Sequence, residues 1–275
     1  MLKDKIVLIT GATSGIGKET ARALAELDAT VVFTTRDELK GKNTKDELIK
    51  SSNNKKIDFL NCDLASFDSI RNCCKEFKSK YNKLHVLINN AGVWDFTRRE
   101  SKDDIENIFA TNYLGPFLMT NLLLDILKKS GPSRIINVTS GMHYGTINFD
   151  DIEFKQKFSG ARAYRQSKLG LILFTRLLAK KLEGTGVVVN CVHPGMNKTN
   201  LGRDAGGFSR AIFKLMGKDP KIGAETSIYL ASSPELENIT GEYFAKKEIH
   251  KSSKESYDMN LAERLWDLSI KYVDL

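Results

Sequence analysis

The chain has 275 residues, 41% of them apolar and 28% charged, with 20 glycines and 5 prolines. That balance excludes disordered, fibrous and repeat architectures and suits one α/β unit of ordinary size. The net charge of +8 invites a nucleic-acid reading, but the lysines fall in polar stretches such as Lys40–Lys50 and Ser51–Lys56 without an aromatic-studded basic stripe, so no nucleic-acid partner is expected.

From Met1 the chain enters an apolar, β-branched run at Lys5–Thr10, the pattern of a strand buried on both faces. No charged and apolar leader precedes it, and no run reaches the roughly 18 apolar residues of a spanning helix. A cytoplasmic protein is expected, with at most weak contact to anionic membrane surfaces. The turn that follows reads Thr10-Gly11-Ala12-Thr13-Ser14-Gly15-Ile16-Gly17-Lys18 and opens a helical pattern over Lys18–Leu27. Gly11 permits a tight turn, Gly15 a close backbone approach, and Gly17 close packing of helix on strand. The helix start then offers free N–H groups and a positive dipole end to a pyrophosphate. Gly11, Thr13, Ser14, Gly15, Ile16 and Gly17 are therefore candidate dinucleotide contacts.

A second strand, Thr30–Thr35, ends on Arg36. Enzymes that use NAD usually carry a carboxylate there, whereas an arginine fork can hold a 2′-phosphate. NADP(H) is the expected cofactor, with NAD(H) the alternative. The third strand, Ile57–Cys62, ends on Asp63 and Leu64, and Asp63 can accept from an adenine amino group. A helix at Phe67–Lys80 and a strand at His85–Asn89 lead to Asn90, Ala91 and Gly92, whose small residues permit backbone contact with a ribose.

A long helical pattern, Asp103–Leu127, contains Asn112, a mediocre helix former beside the disturbing pair Gly115-Pro116. The fifth strand, Arg134–Thr139, is closed by Ser140. Tyr164 and Lys168 stand four apart in the helix Ala163–Leu182 and share one face. A neighbouring ammonium lowers a phenol's pKa toward the working range of a general acid–base. Ser140 is placed to orient a substrate oxygen, and Asn112 reads as a buried polar group at a kink that could also hold a water joined to Lys168. After a sixth strand at Val187–Val192 comes an irregular stretch, Met196–Pro220, within which Gly206–Gly217 reads equally as a substrate lid or as a helix packed permanently on the core or at a subunit contact. A helix at Ile222–Ser232, a last strand at Ile239–Phe244 and an amphipathic tail from Ser256 to Val273, with Met259, Ala262, Trp266 and Ile270 on one stripe, complete the chain.

Strands alternating with helical crossovers predict a single doubly wound, Rossmann-type α/β domain over residues 1–275, with a parallel sheet of about seven strands flanked by helices. The motifs fall at the carboxyl ends of its strands, where such sheets bind ligands. Cys62, Cys73, Cys74 and Cys191 make no CxxC pair and read as thiols of a reducing compartment. No metal site is expected. His85, His193 and His250 read as structural, and His143 as a candidate substrate contact.

The glycine turn, Asn89-Asn90-Ala91-Gly92, Asn112, Ser140, the Tyr164-to-Lys168 spacing and Pro194-Gly195 together resemble the short-chain dehydrogenase/reductase family, collinear over nearly the whole chain. The stretch Asn112–Ser140, His193-Pro194-Gly195, Thr199-Asn200-Leu201-Gly202 and Arg264-Leu265-Trp266 resemble its retinol dehydrogenase-like branch. The resemblance implies hydride transfer on a small-molecule alcohol or carbonyl, with Tyr164 as acid–base. Lys168 would lower the Tyr164 pKa and bind the nicotinamide ribose, and Pro194, Gly195 and Thr199 would join the cofactor contacts. No anchoring leader like that of animal retinol dehydrogenases is expected, and Pro116 stands where that branch often has histidine. The expected function is oxidoreduction of a lipophilic alcohol or carbonyl, the alternative a cofactor-sensing regulator. Homo-oligomers are compatible with either.

Overall fold

The computed structural model describes residues 2–195 and 219–275. Strand β1 (Ile6–Ile9), helix α1 (Gly15–Glu26), β2 (Thr30–Thr35), α2 (Glu38–Ser52), β3 (Ile57–Asn61), α3 (Phe67–Lys80) and β4 (Val86–Asn89) alternate as the periodicities predict, apart from α2, which they do not single out. Lysine-rich α2 has a narrow buried stripe of Gly41, Thr44 and Leu48, which is why it reads as a polar stretch in sequence. The aspartate before it, Asp37, caps the helix by accepting from Lys40 N at 3.0 Å.

The predicted helix Asp103–Leu127 starts later and is not uniform. Glu106 accepts from the backbone N–H groups of Ile108 and Phe109 and so sets the start of a single turn, α4 (Asn107–Phe109). A π-helical turn follows at Ala110–Leu114, then α5 (Gly115–Lys129). Pro116 has no N–H to give the Asn112 carbonyl, its α-helical partner, and the Gly115 N–H reaches back to Ala110 O. The wide turn is thus the local answer to Gly115-Pro116, and it carries Asn112.

Strand β5 (Ser133–Val138), helix α6 (Gly160–Lys181) and strand β6 (Val187–His193) follow, α6 beginning three residues before the sequence pattern suggests. Helix α7 (Pro220–Ser232) leads to the one misplaced strand. Residues Ile239 to Gly241 border β6 outside a regular ladder, with Thr240 Oγ1 accepting from Val189 N at 2.9 Å and Gly241, at a φ of +79°, donating its N–H to Val189 O at 2.7 Å. Pairing therefore starts only at β7 (Tyr243–Ala245), and an additional strand β8 (Glu248–Ile249) runs antiparallel to it. The sheet has eight strands in the order β3-β2-β1-β4-β5-β6-β7-β8, the first seven parallel.

Alternate residues of β1 face opposite cores: Leu8 packs on the side of α3, α5 and α6, whereas Val7 and Ile9 join α1 residues such as Leu24. Winding reverses between β1 and β4, which opens a crevice at their carboxyl ends. The tail helix, α8 (Met259–Val273), buries Ala262, Leu265, Ser269 and Val273, a stripe rotated from the predicted one, with Trp266 at its border. Trp266 meets Phe117 edge-on at 5.0 Å and lies 5.8 Å from Phe174, and Ser269 Oγ bonds the Tyr113 hydroxyl at 2.9 Å. Among the described residues, no helix is long and apolar enough to cross a membrane.

Candidate active site

The crevice is built from the ends of β1, β4 and β5 and the first turns of α6. Thr10, which ends β1, accepts from the backbone N–H groups of Asn90 and Ala91, each at 3.0 Å, through its hydroxyl oxygen. Asn90 returns the contact by donating its amide to Thr10 O at 2.8 Å and Gly11 O at 3.2 Å. The side chain of Asn90 is therefore a brace between the first and fourth strand ends. Gly11 has a φ of +68°, and a Cβ there would stand 2.8 Å from Ala91 Cβ. A Cβ on Gly17 would collide with the Asn90 amide and lie 2.5 Å from Gly11 O. Gly15, at a φ of +58°, has nothing within 4 Å of such a Cβ, so that side of the turn is open. Ser14 is the N-cap of the twelve-residue α1, with Thr13 and Ile16 on either side of the cap.

Arg36 is exposed at the end of β2 and lines a groove of about 500 Å³ with Asn61, Asp63, Asn72 and Lys102. Asp63 accepts from Ala65 N at 3.1 Å and pairs with Lys102 at 3.5 Å, while Leu64 is buried.

Asn112 is fully buried. Its Oδ1 accepts from Val93 N at 2.7 Å, and its Nδ2 donates to Val93 O at 2.9 Å and to Ser167 Oγ at 3.2 Å. A Cβ placed on Gly92 would lie 3.4 Å from Lys168 Nζ and 3.5 Å from Asn112 Oδ1. Lys168, 3% exposed, donates to Val138 O at 3.0 Å, and its Nζ stands 5.5 Å from the centre of the Tyr164 ring. Burial pulls its pKa down to about 8.

The nearby Ser140 side chain lowers the Tyr164 pKa, but burial is the larger effect and pushes the phenol up to about 12. The Lys168 ammonium is engaged with the Val138 carbonyl, and burial is the largest influence on the phenol. Ser140 also accepts from Met142 N at 3.1 Å.

Both ring nitrogens of His143 are engaged. Its Nδ1 bonds Ser140 O at 2.7 Å and its Nε2 accepts from Ser253 N at 3.0 Å, so both ring nitrogens tie the end of β5 to the C-terminal segment. His193 Nδ1 accepts from Gly141 N at 2.9 Å, and His85 Nδ1 accepts from Ile6 N at 2.9 Å, as structural histidines do. Gly195 has a φ of +83°. Thr199 and the candidate lid, Gly206–Gly217, lie outside the described residues.

The sequence family model described as short chain dehydrogenase matches residues 5–207, which include every one of these strand ends. The chain belongs to the short-chain dehydrogenase family. Within it the chain stands in the retinol dehydrogenase-like branch. It is 41% identical over 295 residues to retinol dehydrogenase 14 of Homo sapiens, with 100% of this chain and 88% of that one covered. It is 42% identical over 277 residues to polyprenol dehydrogenase of Homo sapiens, covering 97% and 84% of the two chains. A solved structure of an uncharacterized protein from Mycobacterium paratuberculosis superimposes with a TM-score of 0.81 at 30% identity, over 99% of this chain and 94% of that one.

This short-chain dehydrogenase is thus an oxidoreductase acting on CH–OH groups, in a family that uses nicotinamide dinucleotides. Two parts of its site are silent in the sequence. Thr10 reads there as the last residue of a strand, although its hydroxyl joins two loops. Trp94, next but one after Gly92, packs on Tyr164 with ring centroids 4.6 Å apart, and only its closeness to the Asn-Asn-Ala-Gly motif could have drawn attention to it.

Proposed function

We propose that this short-chain dehydrogenase is an NADP(H)-linked enzyme, formed as one domain over its 275 residues, that interconverts a lipophilic alcohol and its aldehyde or ketone. The observation that carries the reading is the convergence of Ser140, Tyr164 and Lys168, two of them buried, in a fold whose glycine turn has open space at Gly15.

The residues present suit the dinucleotide. Gly11, Thr13, Ser14, Gly15, Ile16 and Gly17 would hold its pyrophosphate at the start of α1, where free N–H groups and the helix dipole favour an anion. Asp63, Leu64, Asn90, Ala91 and Gly92 would flank the adenosine, and Pro194, Gly195 and Thr199 the nicotinamide. Arg36 would take the 2′-phosphate. Asp37 does not oppose this, because its carboxylate is committed to capping α2. When bound, the nicotinamide supplies the hydride acceptor or donor.

Tyr164 then gives its proton to the carbonyl oxygen in reduction and takes it back in oxidation, while Ser140 holds the same oxygen in place. A phenol raised to about 12 is protonated at neutral pH, the form that reduction uses. Lys168 would hold the ribose, for which a buried ammonium with its pKa brought down to about 8 is a ready donor. Lys168 Nζ and Asn112 Oδ1 both flank Gly92, so one water between them would extend the proton path. Four buried, unpaired cysteines support a reducing compartment such as the cytoplasm.

The test is NADPH consumption against a panel of lipophilic aldehydes and ketones, with Tyr164→Phe beside the wild type. Turnover should vanish in the variant while nucleotide binding stays within about twofold, and Lys168→Ala should lose both. Wild-type rates in Tyr164→Phe would overturn the reading.

A further inference from the structure

Trp94 sits half-buried with its ring tilted 31° to that of Tyr164, at a spacing where aromatic rings attract. The backbone on either side of it is clamped. Before it, Val93 gives its N–H and its carbonyl to the Asn112 carboxamide at 2.7 and 2.9 Å. After it, Asp95, 2% exposed, accepts from Asn107 Nδ2 at 2.6 Å and pairs with Arg99. A third contact comes from α6 itself. A Cβ on Gly160, the first residue of that helix, would run into the Asp95 carbonyl and reach within 3.4 Å of the indole nitrogen. The helix that carries Tyr164 therefore begins with the one residue type that lets this segment lie against it. Hydrogen bonds alone would hold a turn; here they hold one ring against another.

We propose that Trp94 is a positioning residue for Tyr164: its clamped indole fixes the plane of the phenol and closes that face to water, while Ser140 holds the hydroxyl. The role rests on the reading of Tyr164 as the acid–base. Orientation of a donor within a narrow angular range is a recognised source of rate, lost when a support is removed although binding persists. A ring that excludes water also keeps the phenolate unsolvated, so its removal admits solvent and makes the phenol more acidic.

The full-length protein would be compared with Trp94→Leu, Trp94→Phe and Gly160→Ala in two measurements. The first is reduction of decanal with NADPH. Trp94→Leu should lower kcat about tenfold or more with KM within threefold, Trp94→Phe should recover most of kcat, and Gly160→Ala should show the same loss in milder form. The second is a fluorine NMR titration of protein labelled with 3-fluorotyrosine, the Tyr164 signal being assigned by its disappearance in Tyr164→Phe. That titration should move to lower pH in Trp94→Leu and stay in place in Trp94→Phe. Unmoved titration with kcat within twofold in Trp94→Leu overturns the proposal, and the same pair of results in Gly160→Ala overturns it if the leucine variant does not fold. The titration decides the matter whether or not decanal is turned over. Retained turnover in Tyr164→Phe strikes the acid–base reading instead, and is separable from any result at Trp94.

Discussion

The carboxamide of Asn112 occupies both backbone groups of Val93, accepting from its N–H at 2.7 Å and donating to its carbonyl at 2.9 Å. A helix side chain here stands in for a strand partner. It hangs the loop after β4 from the π-helical turn, so the fourth strand end and the helices behind it move as one piece.

Asn112→Ala should therefore cost more than a proton path. It leaves the two Val93 groups and the Ser167 hydroxyl short of a partner, a loss of about 2–4 kcal/mol in stability when buried groups go unsatisfied. Asn112→Asp should be no better, because its second oxygen would face the Val93 carbonyl instead of donating to it. Urea unfolding of both variants checks this; stability within 0.5 kcal/mol of wild type, on the order of ordinary surface changes, would mean that the loop is held elsewhere.

Arg36→Asp should weaken NADPH binding by at least about tenfold and leave NADH binding within about threefold, since it replaces an attractive charge by a repulsive one at the groove beside α2. Calorimetric titration with both nucleotides measures it. A wild type that prefers NADH would remove the basis for assigning the 2′-phosphate to Arg36.

Gly17→Ala adds a single methyl group, which would meet the Asn90 amide and the Gly11 carbonyl. Asn90 cannot retreat without giving up its bonds to Thr10 and Gly11. The expected loss is about 1–3 kcal/mol of stability, as for overpacking of a filled site, with nucleotide affinity reduced at least in proportion. Normal melting together with normal affinity would show that the turn has room.

Glu106 is buried without exposure, and burial raises its pKa to about 7 against the opposing effect of its two backbone N–H partners. Asp95 adds to the rise and Arg98 counters it, while the carboxylate of Glu153 accepts from Glu106 N at 3.2 Å. A carboxyl whose folded pKa is raised is stabilising below its ordinary value near 4.5, and that advantage is lost as pH rises to about 7. Glu106→Gln has no such charge to bury. Between pH 4.5 and 7 the wild type should lose up to a few kcal/mol relative to the glutamine variant. Parallel unfolding curves for the two proteins across that window would show that the carboxylate is accommodated.

Much of this architecture can be read from the chain because parallel strands buried on both faces leave continuous apolar runs, and Lys5–Thr10 and Val187–Val192 are plain examples. Tyr164 and Lys168 stand out by their four-residue spacing, whereas Ser140 and Asn112 gain weight only from the family resemblance. What escapes is whatever depends on a partner remote in sequence. His143 looks free beside Ser140 until Ser253, 110 residues later, gives its N–H to the ring. The acidity of Tyr164 follows the depth of its burial, which no four-residue spacing records. Strand β7 starts late because the Thr240 hydroxyl takes the Val189 N–H that a strand carbonyl would take and Gly241 turns at positive φ, and a hydrophobicity pattern does not register either.

The tail helix α8 has a consequence for how the chain is made. Phe117 and Phe174 belong to helices finished long before α8 is synthesised, yet Trp266 is the ring that covers them. At roughly 5–20 residues per second, a ribosome exposes this aromatic face for several seconds before its cover exists. Arg71, far earlier in the chain, waits for the carbonyls of Val273 and Asp274. Newly made chains thus pass through a sticky stage whose length is set by translation speed, and pausing upstream of codon 259 would prolong it.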